Sequence, residues 1–395
     1  MGKRNQITCM LLGLVMGVTT CGVNAAFNYS FQISIDGLFD DNAYLNTEPF
    51  SGDADTLLVR VNPKLDLTWI SGNHNFQMAL QYLGEFYDDT GTTDDQHAVF
   101  SESAYDYTFT DWFSFIYEDA FDFGGFGPEY IDRPDFHSDV MLYDTMTGVR
   151  FRGWNKLDVE IGGVWGIQLF DTISRDETEI TEGIDWEELG FHIATRYQVI
   201  PEIAFSADYT NKTRNFDNYE SVPEVEIVTG SFGFSAILPA GTDVTLKGRL
   251  FRFVFEGIPP RHTESDYNNY GVDIEMNHPL PGGGELSLTG YSKFELSDRA
   301  PRLFYRDAGI AARCSWVLGE RWGFDVESVY DHLDYKGLED EFSETLFNAS
   351  TGVEYRISSW ITVGGVYRYF RRDSDLPNAD IRSSRMGVTV GIVLP

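Results

Sequence analysis

The sequence is poor in cysteine and in positive charge. Only three of its 395 residues are cysteine; Cys9 and Cys21 lie within the first 25 residues, so Cys314 alone remains beyond them. A single cysteine excludes an internal disulfide in that part of the chain. Lys and Arg total 29 against 62 Asp and Glu, which gives a formal net charge of −33 at pH 7. A polyanion does not bind nucleic acid through its overall field, so we expect no nucleic-acid partner.

Long hydrophobic runs are missing beyond the N-terminal segment. No later stretch approaches the roughly 20 apolar residues that a membrane-spanning helix needs. The one continuous apolar run, Met10 to Val18, follows two basic residues and precedes a series of small residues. This order predicts a secretory signal peptide over residues 1–25, with residues 26–395 forming a single domain. Cys21 leaves a lipoprotein signal as the alternative.

Catalytic and metal-binding patterns are also missing. The seven histidines are scattered and form no H-E-x-x-H pair, and neither a G-x-S-x-G elbow nor a phosphate-binding glycine loop occurs. The acidic segment 88–95 lacks the ligand spacing of a calcium-binding hand. We therefore expect no enzymatic activity, no cofactor and no metal site.

What the sequence does contain is alternation with a period of two residues. Three stretches show it most clearly: Phe27 to Asp36, Trp360 to Tyr369 and Arg385 to Leu394. In each stretch one face is apolar and the other is polar or small, which is the pattern of a β-strand. A strand of a soluble sandwich alternates too, but here the polar faces carry Arg368 and Arg385. An apolar face against lipid and a polar face against water inside a closed barrel explain this pattern.

The same alternation recurs along the whole chain. It predicts about eighteen strands, joined alternately by short turns and by long, often acidic loops. This asymmetry predicts an all-β, transmembrane, antiparallel up-and-down β-barrel with short periplasmic turns and long extracellular loops, in the outer membrane of a Gram-negative bacterium. A barrel of 16–18 strands is wide enough to hold water. One strand breaks the pattern, because Phe251, Phe253 and Phe255 follow Leu250 on the parity of Arg249; we predict a bulge near Leu250 that returns these rings to lipid.

Charged residues of the inward parity are the candidate functional residues. The predicted pore-lining residues are Arg60, Lys64, Asp66, Glu85, Glu160, Lys247, Arg249, Glu275, Arg313, Glu327, Arg356, Arg368 and Arg385. Such residues can hydrate a polar solute and bias ion selectivity, or they can simply pair with one another to solvate the interior. The sequence leaves both readings open.

Arginines concentrate near the end of the chain, and aromatic residues concentrate toward strand ends. The arginines could form a stripe that attracts an acidic polymer, or could neutralise the acidic loops; they are Arg356, Arg368, Arg371, Arg372, Arg382 and Arg385. Outward aromatics such as Tyr29, Trp69 and Trp316 predict membrane girdles. The aromatics expected in a long loop, as candidates for saccharide contact or for packing into the mouth, are Phe123, Phe126, Tyr130 and Phe136.

Both ends of the chain resemble the outer-membrane β-barrels that are encoded with bacterial exopolysaccharide biosynthesis and export machinery. At the front the resemblance rests on Asp40-Asp41-Asn42, Asp53, Asp55, Val61, Pro63, Leu65, Leu67, Tyr82, Gly84, Glu85 and Tyr87. At the back it rests on Tyr367-Arg368-Tyr369, Arg371-Arg372-Asp373-Ser374, and Ala379 to Arg385 leading into Gly387 and Val388. Departures are Asp375, Ile381 and the ending Val393-Leu394-Pro395.

The resemblance implies a porin that serves as the exit conduit for a secreted exopolysaccharide. Its partners would be outer-membrane lipid, the polysaccharide, and periplasmic or inner-membrane export components. Two alternatives remain: a general diffusion porin for small polar solutes, and a non-conducting barrel for surface adhesion.

Overall fold

The computed structural model describes most of the chain beyond residue 25. The described residues are 26–40, 56–88, 96–124, 138–154, 156–172, 185–216, 224–256, 266–296, 302–337, 342–375 and 380–394. The expected signal segment 1–25 and the loop aromatics Phe126, Tyr130 and Phe136 lie outside these ranges. Phe123 lies within them, and it belongs to a strand instead of a loop.

Eighteen β-strands make up the described structure. They are β1 (Ala26–Asp40), β2 (Thr56–Ser71), β3 (His74–Tyr87), β4 (Gln96–Thr110), β5 (Phe113–Gly124), β6 (Ser138–Trp154), β7 (Leu157–Thr172), β8 (Trp186–Ile200), β9 (Ile203–Phe216), β10 (Glu224–Ile237), β11 (Asp243–Glu256), β12 (Asp266–Leu280), β13 (Gly284–Leu296), β14 (Arg302–Leu318), β15 (Trp322–Gly337), β16 (Phe342–Arg356), β17 (Ile361–Ser374) and β18 (Ile381–Leu394). No helix in the described ranges is long and apolar enough to cross a membrane.

The strands form one closed sheet. Each strand pairs antiparallel with the next along the chain, and β18 pairs with β1 from Leu394 opposite Phe31 to Arg385 opposite Asp40. Closure leaves no strand at the edge of the sheet, which is the condition for a sheet that spans a membrane. The predicted antiparallel up-and-down barrel of about eighteen strands is confirmed.

Short turns lie at one end of the barrel. They join β2 to β3, β4 to β5, and each later even-numbered strand up to β16 to the odd-numbered strand that follows it. Gly72 in the first of these turns has φ +58°, and Gly319 between β14 and β15 has φ +65°. Positive φ values are strained for side chains with a Cβ, so glycine is the residue that permits these tight connections. Short turns mark the periplasmic end of such barrels, and the opposite end is therefore the outer end.

The two faces of the wall differ as the alternation predicts. Large apolar side chains of the outward parity are exposed, for example Leu250 at 67%, Tyr270 at 81% and Ile310 at 58%. Side chains of the opposite parity form ion pairs with one another and border cavities, as described below. An exposed apolar outer face has its natural environment in lipid hydrocarbon.

The predicted bulge near Leu250 is wrong. The register between β10 and β11 runs without interruption from Ile237 to Glu224, and β11 also pairs continuously with β12. Phe251, Phe253 and Phe255 therefore keep the parity of Arg249 and face inward, where they are 7%, 2% and 3% exposed. The break in the sequence pattern reflects a change in the inner face, which becomes apolar toward the outer end of this strand.

This change in the inner face recurs around the barrel. Two clusters of inward side chains lie at the outer ends of strands, the first around Phe253 and the second around Tyr335 and Phe342, whose rings stack with centroids 4.5 Å apart. Leu38 and Leu58 are fully buried at the outer ends of β1 and β2. We refer to the inward apolar residues of these outer ends as the apolar collar: Leu38, Leu58, Val225, Phe251, Phe253, Phe255, Leu333, Tyr335, Phe342, Leu346 and Ile381.

Adjacent positions in β14 test the assignment of the two faces. Ile310 faces outward, whereas its neighbour Ala311 faces inward. We expect Ile310→Arg to lower the free energy of unfolding by about 2–4 kcal/mol near the bilayer midplane, because it places a charge in lipid. Ala311→Arg should change it by less than about 1 kcal/mol, because its charge meets the hydrated interior. Urea unfolding in phospholipid vesicles measures both, and equal losses would contradict the assignment.

Candidate functional site: the charged interior of the barrel

One cavity beside the inner wall has a volume of about 1190 Å³ and is bordered by β1–β4 and β14–β18. Its charged lining consists of Asp36, Arg60, Glu85, Arg313, Asp325, Glu327, Glu354, Arg368 and Arg385. Six of the predicted pore-lining residues therefore border a single space, although they come from strands at the two ends of the chain. Closure of the barrel brings them together, since β18 and β1 are neighbours.

A second cavity of about 660 Å³ lies beside β2–β7 and β9. Acidic side chains of the inward parity border it: Asp66, Glu102, Glu118 and Asp144. Lys212 is the one basic residue among the described residues that border this space. The two cavities therefore differ in charge, because the first contains both signs and the second is mainly acidic.

A network of ion pairs links the strands where the barrel closes. Arg385 of β18 donates from Nε to Asp40 of β1 at 2.6 Å and from Nη1 to Glu85 of β3 at 3.2 Å. Arg60 of β2 donates from Nε to the same Glu85 at 2.7 Å, and Ser383 donates its hydroxyl to Asp40 at 2.9 Å. Asp40 is 0% exposed and Glu85 is 1% exposed. Buried carboxylates are tolerated when ionic partners and hydrogen bonds compensate their lost hydration, and these two have both.

Most of the other predicted pore-lining residues are paired as well. Glu160 accepts from Arg150, whose guanidinium also contacts Asp106. The remaining cross-strand and same-strand pairs are Lys64 with Asp66, Lys247 with Asp208, Arg249 with Asp273 and Arg313 with Asp325. The mutual pairing that the sequence left open therefore holds for these residues.

Four of the predicted residues have no ion pair within the described ranges. Glu275 accepts a hydrogen bond from Asn277 at 2.9 Å, while Glu327 and Arg356 are exposed on the inner parity. Arg368 borders the 1190 Å³ cavity. A charge without a fixed partner is the kind that can interact with a passing ion, so Arg368 is the candidate of most interest.

The arginines near the end of the chain do not form one inward stripe. Arg371 and Arg382 lie opposite each other in the β17–β18 register on the outward parity, and Arg371 pairs with Asp373 at 2.7 Å. Arg372 faces inward but forms a buried ion pair with Glu344. Nearby carboxylates therefore neutralise three of the six arginines, Arg371, Arg372 and Arg385.

Several inward acidic residues are not among the predicted pore-lining residues. Asp40 is the last residue of β1, at the point where a polar segment of the sequence begins. Asp307 on β14 contacts Lys293 at 3.3 Å, and Asp331 on β15 accepts from the hydroxyl of Tyr291. The alternation could have identified Asp307 and Asp331, since both lie on the inward parity of their strands. Within the described ranges no group of three or more His, Cys, Asp or Glu residues is arranged to hold a metal ion.

These features define the class of protein. A closed antiparallel barrel with an even number of strands, an apolar exterior and a charged interior is the architecture of proteins of the bacterial outer membrane. The chain is an outer-membrane β-barrel, and the predicted location is confirmed.

Comparisons with known proteins add names of similar folds. No protein-family model and no curated protein sequence matches the chain. Crystal structures that match include Pseudomonas aeruginosa OccK9 (OpdG), 10% identical with a TM-score of 0.47, over 93% of this chain and 99% of that one. Acinetobacter baumannii OccAB4 is 12% identical with a TM-score of 0.47, over 93% and 98%. The outer membrane protein opdK from Pseudomonas aeruginosa is 10% identical with a TM-score of 0.44, over 93% and 99%.

At these identities and scores the likeness says nothing about what passes through this barrel. The assignment of the fold rests on the strand pairing of the chain itself. None of these matches concerns exopolysaccharide, so that part of the resemblance stays a prediction.

Removal of Arg385 tests the network at the closure. We expect Arg385→Met to lower the free energy of unfolding by about 3–5 kcal/mol, because it takes the cation from two buried carboxylates. The matched control is Arg313→Met, whose ion pair with Asp325 is 61% and 39% exposed. An exposed ion pair contributes about 0–1 kcal/mol to stability, so the control variant should have almost the same free energy of unfolding as the parent protein. Similar midpoints of urea unfolding for the two variants would contradict the proposed importance of the network.

Proposed function

We propose that the barrel is a passive diffusion channel for small polar solutes. The observation that supports it is the charged inner wall bordering open cavities of about 1190 and 660 Å³. Charged and polar walls replace the hydration of a polar solute as it moves, so the barrier to entry is low. The chain needs no catalytic group for this role.

The cavities beside the wall are large enough for small solutes. Pockets of about 300–1000 Å³ enclose drug-sized molecules, and the cavity of about 1190 Å³ lies just above that range. The apolar collar further reduces the polar surface available toward the outer end. The exopolysaccharide conduit suggested by the resemblance would need a continuous hydrated path for a chain of sugars.

Solute uptake by liposomes distinguishes these functions. Liposomes that contain the purified barrel should swell rapidly in arabinose, more slowly in a trisaccharide and not in dextran, because passage is limited by solute size. Liposomes with the heat-denatured protein serve as the control. Entry of dextran would overturn the size-limited channel in favour of a polysaccharide conduit, and absence of swelling in every sugar would favour a surface barrel.

Arg368 provides a test of the charge lining. A unit charge 4 Å away contributes about 1 kcal/mol in a water-like dielectric, which is roughly a fivefold effect on local ion concentration. We therefore expect Arg368→Gln to raise the permeability ratio of K⁺ to Cl⁻ by up to about fivefold. The reversal potential across a planar bilayer with a KCl gradient measures this ratio.

The control for this experiment is Arg371→Gln. Arg371 is three residues along the same strand but on the outward parity, so its loss should leave the ratio unchanged. A reversal potential that shifts equally in both variants, or in neither, would count against Arg368 as part of the conducting pathway.

A further inference from the structure

The wall of the barrel opens between β12 and β13 near the outer end. These strands are joined by a short turn, yet their pairing stops at Val272 opposite Ser292, although β12 continues to Asp266 and β13 to Leu296. Each of the other hairpins joined by a short turn stays paired to within two residues of its outer end. Among the described residues, those of β12 beyond Val272 pair with β11 and those of β13 beyond Ser292 pair with β14, but the two segments do not pair with each other. We call this unpaired part of the described wall the gap.

Apolar side chains extend from this gap to the inner face of the barrel. Phe294 and Leu296 have the parity of the outward residues of β13, yet both pack against the inward cluster around Phe253. The rings of Phe294 and Phe251 have centroids 6.0 Å apart. Gly271 lies at the narrow end of the gap, where an added Cβ would overlap the carbonyl oxygen of Ser292. Phe294 therefore lies between the outer surface and the inner cluster.

The inner cluster is a packed group of apolar, mostly aromatic side chains. Its buried members are Val225, Phe251, Phe253 and Phe255, and Tyr267 packs against them from β12. Such a cluster does not help to hydrate a polar solute, so the diffusion of polar solutes does not explain it. Its chemistry suits aromatic rings or acyl chains.

The gap opens toward the outer leaflet of the membrane. Leu250 and Tyr270 lie directly opposite each other on the outward face and are strongly exposed. The next outward position along β11 is Arg252, which forms an exposed ion pair with Asp266 at 2.9 Å. The change from apolar to charged side chains marks the outer edge of the hydrocarbon band. Pairing of β12 with β13 ends at Val272, which is below that edge.

We propose that this gap is a lateral entrance through which an uncharged hydrophobic molecule passes from the outer leaflet to the aromatic cluster. Phe294 closes the entrance and is displaced when a ligand enters. The ligand class is a small aromatic or acyl compound dissolved in the leaflet. This binding site is independent of the polar diffusion pathway, which uses the charged wall lower in the barrel.

Reactivity of a cysteine in the aromatic cluster tests the entrance. In a Cys314→Ser background, Phe253→Cys places one thiol among the buried aromatics. N-(1-pyrenyl)maleimide dissolved in the bilayer should modify this thiol, whereas a sulfonated maleimide in water should not. Phe294→Ala should raise the rate of labelling by the pyrenyl reagent by about tenfold. This factor corresponds to a free energy of opening the gap that is lower by about 1.4 kcal/mol. Phe294→Trp should lower the rate.

Controls separate this outcome from general damage to the barrel. Leu288→Ala changes an outward residue of the same strand below the gap, so it should leave the labelling rate unchanged. Heat-modifiable migration on a gel shows that each variant is folded, and liposome swelling in arabinose should be the same for Phe294→Ala and the parent. Equal labelling by both maleimides, or a folded Phe294→Ala or Phe294→Trp variant with the parent rate, would overturn the lateral entrance.

Discussion

Backbone hydrogen bonding in hydrocarbon is the constraint on which the rest of this structure depends. An amide or carbonyl without a partner costs several kcal/mol in lipid, so a membrane-spanning sheet is stable only when it closes on itself. The pairing of β18 with β1 provides that closure. The ion pairs of Arg385 with Asp40 and Glu85 lie at the outer end of the same junction and join β18 to β1 and β3. The place where the chain ends meet is therefore held by both backbone and side-chain interactions.

Closure also determines the chemistry of the interior. Side chains alternate across the wall, so each strand that presents an apolar residue to lipid must present its neighbours to the lumen. Cross-strand ion pairs such as Lys247 with Asp208 and Arg249 with Asp273 compensate these charges for the hydration that they lose against the inner wall. The charges that remain without an ionic partner in the described ranges, Arg368 among them, are the ones that can act on a passing solute. The proposed diffusion of small polar solutes depends on this difference between the paired charges and the charges without an ionic partner.

Period-two alternation was sufficient to predict the barrel, its strand number and its orientation, because nearly every strand from Phe27 onward carries the pattern independently. It was insufficient for Phe251, Phe253 and Phe255. Alternation reports only which residues share a face, and an apolar inward face gives the same signal as a bulge that redirects rings to lipid. The contacts within the candidate site could not be predicted from the sequence either. Glu85 and Arg385 are 300 residues apart, and only the register at the closure shows that they meet.

The central claim is that lipid surrounds this wall and a continuous path of water runs through it. Current recording across a planar bilayer tests the claim most directly. Insertion of single barrels in KCl should produce discrete steps of current that are proportional to voltage and that scale with the salt concentration. Folded barrels that insert but leave the bilayer at its background conductance would contradict the account.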